Sequence, residues 1–171
     1  MRIRPITILF FLAALLAAGV FADGDSSLPG PDSIGKWKTV FSDKSVPKNA
    51  LPGDVISIYP GKKSEPVRSS EPVDPYVFGV ATLDSTGELR IARGGEVEVN
   101  IDPSAGPVSA GTWLVSSGGS GRAMPIPAKW PVTPVVIGIT MENWHPDSSA
   151  TTTVLLTPGE KVTPDGSAND E

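Results

Sequence analysis

The chain of 171 residues has no cysteine. That excludes a disulfide framework, a thiol nucleophile, a cysteine-rich zinc site and a cysteine-linked lipid anchor. Histidine occurs once, as His145. A transition-metal site would need carboxylates alone as co-ligands, and a histidine-based triad could be built at one position only. Basic residues never cluster beyond Lys62-Lys63, and the formal net charge is −5. An acidic body without a basic stripe argues against nucleic acid or anionic lipid as a partner. No stretch sustains a helical apolar period for three turns, which argues against a helical core. Beyond residue 22, nothing is apolar enough to span a bilayer.

What is present begins with an export signal over residues 1–22. Arg2 and Arg4 supply a positive start, Ile6 to Ala22 is almost wholly apolar, and Val20-Phe21-Ala22 offers small residues at the positions a signal peptidase reads. The apolar run is somewhat under the roughly 20 residues of a spanning helix, so cleavage before Asp23 is expected rather than a retained anchor. Residues 23–35 are polar with two prolines and read as a flexible linker. Residues 158–171 lack an apolar period and read as a disordered tail. The folded β domain should occupy residues 36–157. Without disulfides, its core alone must hold it.

That domain repeats itself. Gly53 opens an apolar run (Val55, Ile56, Ile58), and Gly111 opens another (Trp113, Leu114, Val115). Pro66-Val67 recurs as Pro125-Ile126, and the run from Pro75 to Ala81 recurs from Pro134 to Thr140 with its glycine in the same place. Landmarks in register over halves at about 51–84 and 109–143 imply one β-unit used twice, with pseudo-twofold symmetry. Glu96 to Asp102 alternates apolar and polar residues, as a half-buried strand does. Tyr76 to Thr82 and Val135 to Met141 are apolar on both faces, as central strands are. The glycine inside each marks a bulge or a close backbone crossing. Other strands are expected at Trp37 to Phe41, Val55 to Tyr59, Leu89 to Ala92, Thr112 to Ser116 and Thr152 to Leu156. Asp84 to Gly87 reads as a hairpin turn. The fold class is therefore all-β: a single barrel-like or sandwich domain of short strands.

These landmarks resemble a module of phage tail-fibre-like and bacterial surface proteins. Its pattern begins with a Pro-Gly-Asp turn into a strand (Pro52-Gly53-Asp54-Val55-Ile56) and continues with a Val-x-Ser-Ser segment (Val67 to Ser70). Then come an Asp-Pro-x-Val-x-Gly-Val strand (Asp74 to Val80) and a second Gly-opened run ending in Ser-Ser (Gly111 to Ser117). A Gly-x-Ala-Met pair (Gly121 to Met124) and a Val-Ile-Gly strand (Val136 to Gly138) complete it. The resemblance spans about Leu51 to Leu156. It departs at Thr112, where the module prefers aspartate, and over Gly94 to Pro107. It implies a structural or interaction module, often oligomeric, and carries over no catalytic residue.

Candidate chemistry is sparse. His145 sits in a loop before Pro146, where Asp147 or Glu142 could pair with it; an exposed loop histidine is the simpler reading. Ser116 or Ser117 with Lys129 could form a serine–lysine dyad, but no nucleophile elbow surrounds them. The Ser116 to Gly121 run reads as a flexible hairpin loop, with no P-loop lysine after it. Asp84 to Glu88 lacks the spacing of a calcium loop. Trp130 and Trp144 flank one strand and, if both exposed, would form a contact patch for glycan or protein together with His145. The sequence thus implies an exported, non-enzymatic interaction or structural module, secreted, periplasmic or at the cell surface. It is expected to need no cofactor or metal, to meet a protein or glycan partner at the envelope, to keep no membrane span after cleavage and to assemble as a homo-oligomer. The alternative is a carbohydrate-binding β-domain using exposed tryptophans.

Overall fold

The computed structural model describes residues 37–61, 64–128, 134–159 and 161. The expected signal, the linker and most of the tail lie outside the described residues. Among the described residues there is no helix long and apolar enough to cross a membrane.

The described chain is all-β. Its strands are β1 (Val40–Phe41), β2 (Val55–Ile58), β3 (Pro66–Arg68), β4 (Val77–Leu83), β5 (Leu89–Asn100), β6 (Trp113–Ser116), β7 (Ala123–Pro125), β8 (Gly138–Thr140) and β9 (Thr151–Leu156), with one 3₁₀ turn at Pro103–Ala105. They form a curled antiparallel sheet in the order β3-β2-β4-β5-β9-β8-β6-β7, and β1 pairs with β5 outside that path. The two ends of the curl are tied together. Val55 N–H donates to the Gly121 carbonyl (2.8 Å), Gly121 N–H to the Ser69 carbonyl (2.7 Å) and Asp102 N–H to the Ala123 carbonyl (2.8 Å). These ties supply partners to border strands that would otherwise leave backbone groups open.

Sequence and structure differ chiefly at three places. The strands expected at Leu89–Ala92 and Glu96–Asp102 are one strand, β5, bent at Gly94-Gly95. Its first part pairs with β4 and its second with β9. The backbone of Lys38 and Thr39 lies so close to Gly95 that a Cβ there would fall 2.6 Å from the Lys38 carbonyl oxygen. Strands β3 and β7 were not anticipated. Each carries a proline at an edge of the sheet path, where a missing N–H costs no ladder bond. Finally, β8 is shorter than expected, because Val135 to Ile137 leave its ladder. Ile137 still donates to the Leu114 carbonyl (2.8 Å).

The order β3-β2-β4-β5 from one border matches β7-β6-β8-β9 from the other. Local bonding matches too. Gly53 N–H donates to the Ala81 carbonyl (2.7 Å), and Gly111 N–H to the Thr140 carbonyl (2.8 Å). Both glycines sit at positive φ, 87° and 80°, the left-handed region that other residues enter at a cost. Gly79 lies opposite Ile56 and Gly138 opposite Leu114. Each glycine backs onto a neighbouring strand. A methyl on Gly79 would overlap the Ala92 carbonyl oxygen, and one on Gly138 that of Leu155.

The main core fills the inside of the curl. Val55, Val80, Val99, Leu114, Ile137 and Val154 are fully buried there. The alternation of β5 is realised, with Val97, Val99 and Ile101 buried and Glu98 exposed. Two smaller clusters cover the outer face. One centres on Ile56, Ala81 and Ile91, the other on Val73, Val115 and Val136. Central strands β2 and β6 are therefore apolar on both sides, which buries successive residues rather than alternate ones.

Candidate functional site

The loops after β6 (residues 117–122) and after β8 (residues 143–150) line one cleft of about 470 Å³. Its lower wall comes from β5 and the turn that follows, through Asn100, Ile101 and Pro103. Leu51 and Arg68 contribute from the other half of the sheet. The site therefore depends on the curl that brings β3 against the β6–β7 loop.

Asp54 organises this corner. It is 1% exposed, which an anion tolerates only with donors around it. Leu51 N–H donates to Oδ2 (2.7 Å), and Asn100 Nδ2 to Oδ1 (3.0 Å). Arg68 Nε lies 2.8 Å from Oδ2 and completes an ion pair. The same guanidinium donates through Nη2 to the Ser120 carbonyl (3.1 Å), so Arg68 spans from the buried acid to the cleft loop. Gly121 fits against the carboxylate, where a Cβ would sit 2.5 Å from Oδ1. In sequence, Asp54 reads as one more turn aspartate. Only the fold reveals that its charge is buried.

A second acid, Asp74, is fully buried nearer the β3–β4 connection. It accepts from Tyr59 Oη (2.7 Å), Ser69 Oγ (3.1 Å) and Tyr76 N–H (2.8 Å). Its own N–H donates to Ser116 Oγ (2.7 Å), which donates onward to the Glu71 carbonyl (2.9 Å). Burial, reinforced by the bond to Asp74, pushes the Tyr59 phenol well above its ordinary value of 10.0. A phenol with a raised native pKa contributes stability that is complete below pH 10 and is lost as pH climbs toward the native value. Ultraviolet titration should thus show one tyrosine ionising late, together with unfolding. Tyr59→Phe should remove that late component, and its persistence would contradict the assignment.

The residues singled out in the sequence are dispersed. Trp144 is not exposed. The residue is 4% accessible and belongs to the main core, because Val108 and Trp144 bridge their backbones in both directions (2.9 and 2.7 Å) and the indole Nε1 donates to the Ser149 carbonyl (3.0 Å). With its polar atom satisfied, the ring can be buried. It reaches the cleft only as part of the floor. That corrects the expectation of an open tryptophan platform on this side. Trp130 and Lys129 lie outside the described residues. His145 is exposed on a tight turn, closed by Ser148 N–H to its carbonyl (2.9 Å), with Nδ1 3.5 Å from an Asp147 oxygen that is itself open to solvent. His145 does not line the cleft.

Other groups hold structure. Ser117 Oγ takes the Gly119 N–H (3.0 Å) and shapes its loop. Asp84 Oδ1 takes Thr86 N–H (2.8 Å), Thr86 Oγ1 (2.6 Å) and Glu88 N–H (3.1 Å), and Gly87 has φ 82°, so this segment is the hairpin turn expected of it. Asp102 begins the 3₁₀ turn after β5. The Ser104 hydroxyl and N–H on its carboxylate hold it below the ordinary carboxylate value, with the Arg122 charge adding a smaller push.

No protein-family model matches the chain, and no curated protein matches it.

Proposed function

We propose that the chain is an exported, non-enzymatic interaction module of the cell envelope or surface, and that the cleft is the face it presents to a partner. The observation that carries this reading is the meeting of two loops, 117–122 and 143–150, on one concave surface braced by a buried ion pair. Concave, largely pre-formed clefts with a few fixed polar groups are the usual form of a binding site. The loops are short, and their backbones are tied to the sheet, so little ordering is needed on binding. Export is supported by the apolar run of residues 6–22 after Arg2 and Arg4.

The same reading takes the sheet as two copies of one β-unit, in which β2 to β5 correspond to β6 to β9. Matched strand order and matched glycine contacts support it. Resemblance to tail-fibre-like surface modules points the same way and adds self-assembly.

The test uses the chain beginning at Asp23 and isolated envelope from the cell that makes it. Retention on the envelope is expected, and Ser120→Trp, which fills the cleft from an exposed position, should abolish it at unchanged melting temperature. Equal retention of the two proteins would overturn the assignment of the cleft.

A further inference from the structure

The charges in the cleft are unequally used. Arg68 is neutralised by Asp54 and fixed to the Ser120 carbonyl. Arg122 makes no ion pair or side-chain hydrogen bond among the described residues. Its backbone is nonetheless held. Arg122 N–H donates to the Gly119 carbonyl (2.9 Å), and its own carbonyl accepts from Ser117 N–H (2.9 Å). Its stem lies beside Gly119, where a Cβ would be 3.4 Å from Arg122 Cδ. Asp102, which feels its charge, has Oδ1 occupied by Ser104 N–H and Oγ.

Several polar groups of the cleft are already committed to the fold. Asn100 Nδ2 donates to the Pro52 carbonyl and to Asp54. Ser148 Oγ donates to the His145 carbonyl, and Ser149 Oγ to that of Thr151. What the cleft leaves open is the Arg122 guanidinium and, on the 143–150 loop, the Asp147 carboxylate, with Leu51 60% exposed on the same lining. A guanidinium beside apolar surface binds a carboxylate more strongly than one in open water does, because the charged hydrogen bonds form in a lower dielectric.

We propose that the cleft takes a peptide segment presenting an apolar side chain next to a carboxylate, with the carboxylate on Arg122 and the side chain against Leu51. This rests on the reading of the cleft as the binding face. The probes are the tripeptide Ac-Ala-Ala-Leu with a free carboxylate and the same tripeptide as its C-terminal amide. Each is titrated into the chain from Asp23 while backbone amide NMR shifts are followed.

The acid is expected to shift the amides of residues 117–122 and 150, and to bind about tenfold more tightly than the amide, the typical worth of one charge-assisted hydrogen bond. Arg122→Gln should erase that tenfold preference and leave amide binding unchanged. Leu51→Ser should weaken both peptides alike. Both positions are exposed, so a folded spectrum is expected for each variant. Equal binding of acid and amide at the cleft would overturn the carboxylate proposal and leave the binding-face reading standing. Absence of shifts at the cleft with both peptides would overturn the peptide proposal, while retention on the envelope decides the binding-face reading.

Discussion

Replacing Gly79 or Gly138 by alanine is expected to destabilise the domain by about 3 kcal/mol in each case, the upper end of overpacking costs. The added methyl would overlap a carbonyl oxygen of the adjacent strand, Ala92 in one case and Leu155 in the other. Neither oxygen can swing aside as a flexible side chain would, because both belong to paired ladders. Strand separation must therefore increase locally. The fully buried Val80 and Ile137 beside these glycines lose contact in turn. For a domain of this size the melting temperature should fall by about 10 °C per variant. Gly94→Ala is the control: its Cβ would meet only Val40, at an ordinary 3.7 Å, and the effect should stay within about 1 kcal/mol. Thermal unfolding of the three variants checks this. Equal large losses at positions 79 and 138 would support equivalent roles in two related halves. A loss at one alone would separate them.

Asp54→Ala should be the most damaging change at a polar residue, costing about 3–5 kcal/mol, the range found when a buried ion pair loses one partner. It removes the acceptor shared by the Leu51 N–H, the Asn100 amide and the Arg68 guanidinium. Arg68→Ala should cost less, about 2 kcal/mol, because Asp54 retains two donors and the arginine side chain is 23% exposed. The double variant should cost less than the two losses added, since the second substitution removes a group already without its partner. Urea unfolding of the single and double variants measures this coupling. Strict additivity would show that the pair does not act as a unit. The cleft should respond as well, because Arg68 carries the Ser120 carbonyl.

Much of the fold was legible in the chain because its signals are local. The alternation from Glu96 to Asp102, the Asp84 to Gly87 turn and the two glycine-centred apolar runs each fix a backbone shape from neighbouring residues. That β5 is one strand was not legible, since the two apolar runs on either side of Gly94-Gly95 look separate until β1 is seen to lie against them. Proline-bearing β3 and β7 were hidden for a related reason: proline is tolerated only where an edge exists, and edges belong to the whole sheet.

The site was less legible than the fold. The hairpin loop read at Ser116 to Gly121 and the loop that carries His145 both contribute residues to the cleft. Its braced corner was missed, because Asp54, Arg68 and Asn100 are far apart in sequence and individually ordinary. Trp144 misled for the opposite reason. Flanked by Asn143, His145 and Pro146 it reads as a loop residue, yet the Ser149 carbonyl satisfies its indole and lets the ring enter the core.

The most direct test of the central claim is photo-crosslinking in the producing cell. A photoreactive phenylalanine analogue would replace Ser120 in the cleft and, separately, Ser85 in the exposed β4–β5 turn. A discrete adduct from position 120 and none from position 85 is the expected result. No adduct from 120, or the same adduct from both positions, would contradict the cleft as the face that meets a partner.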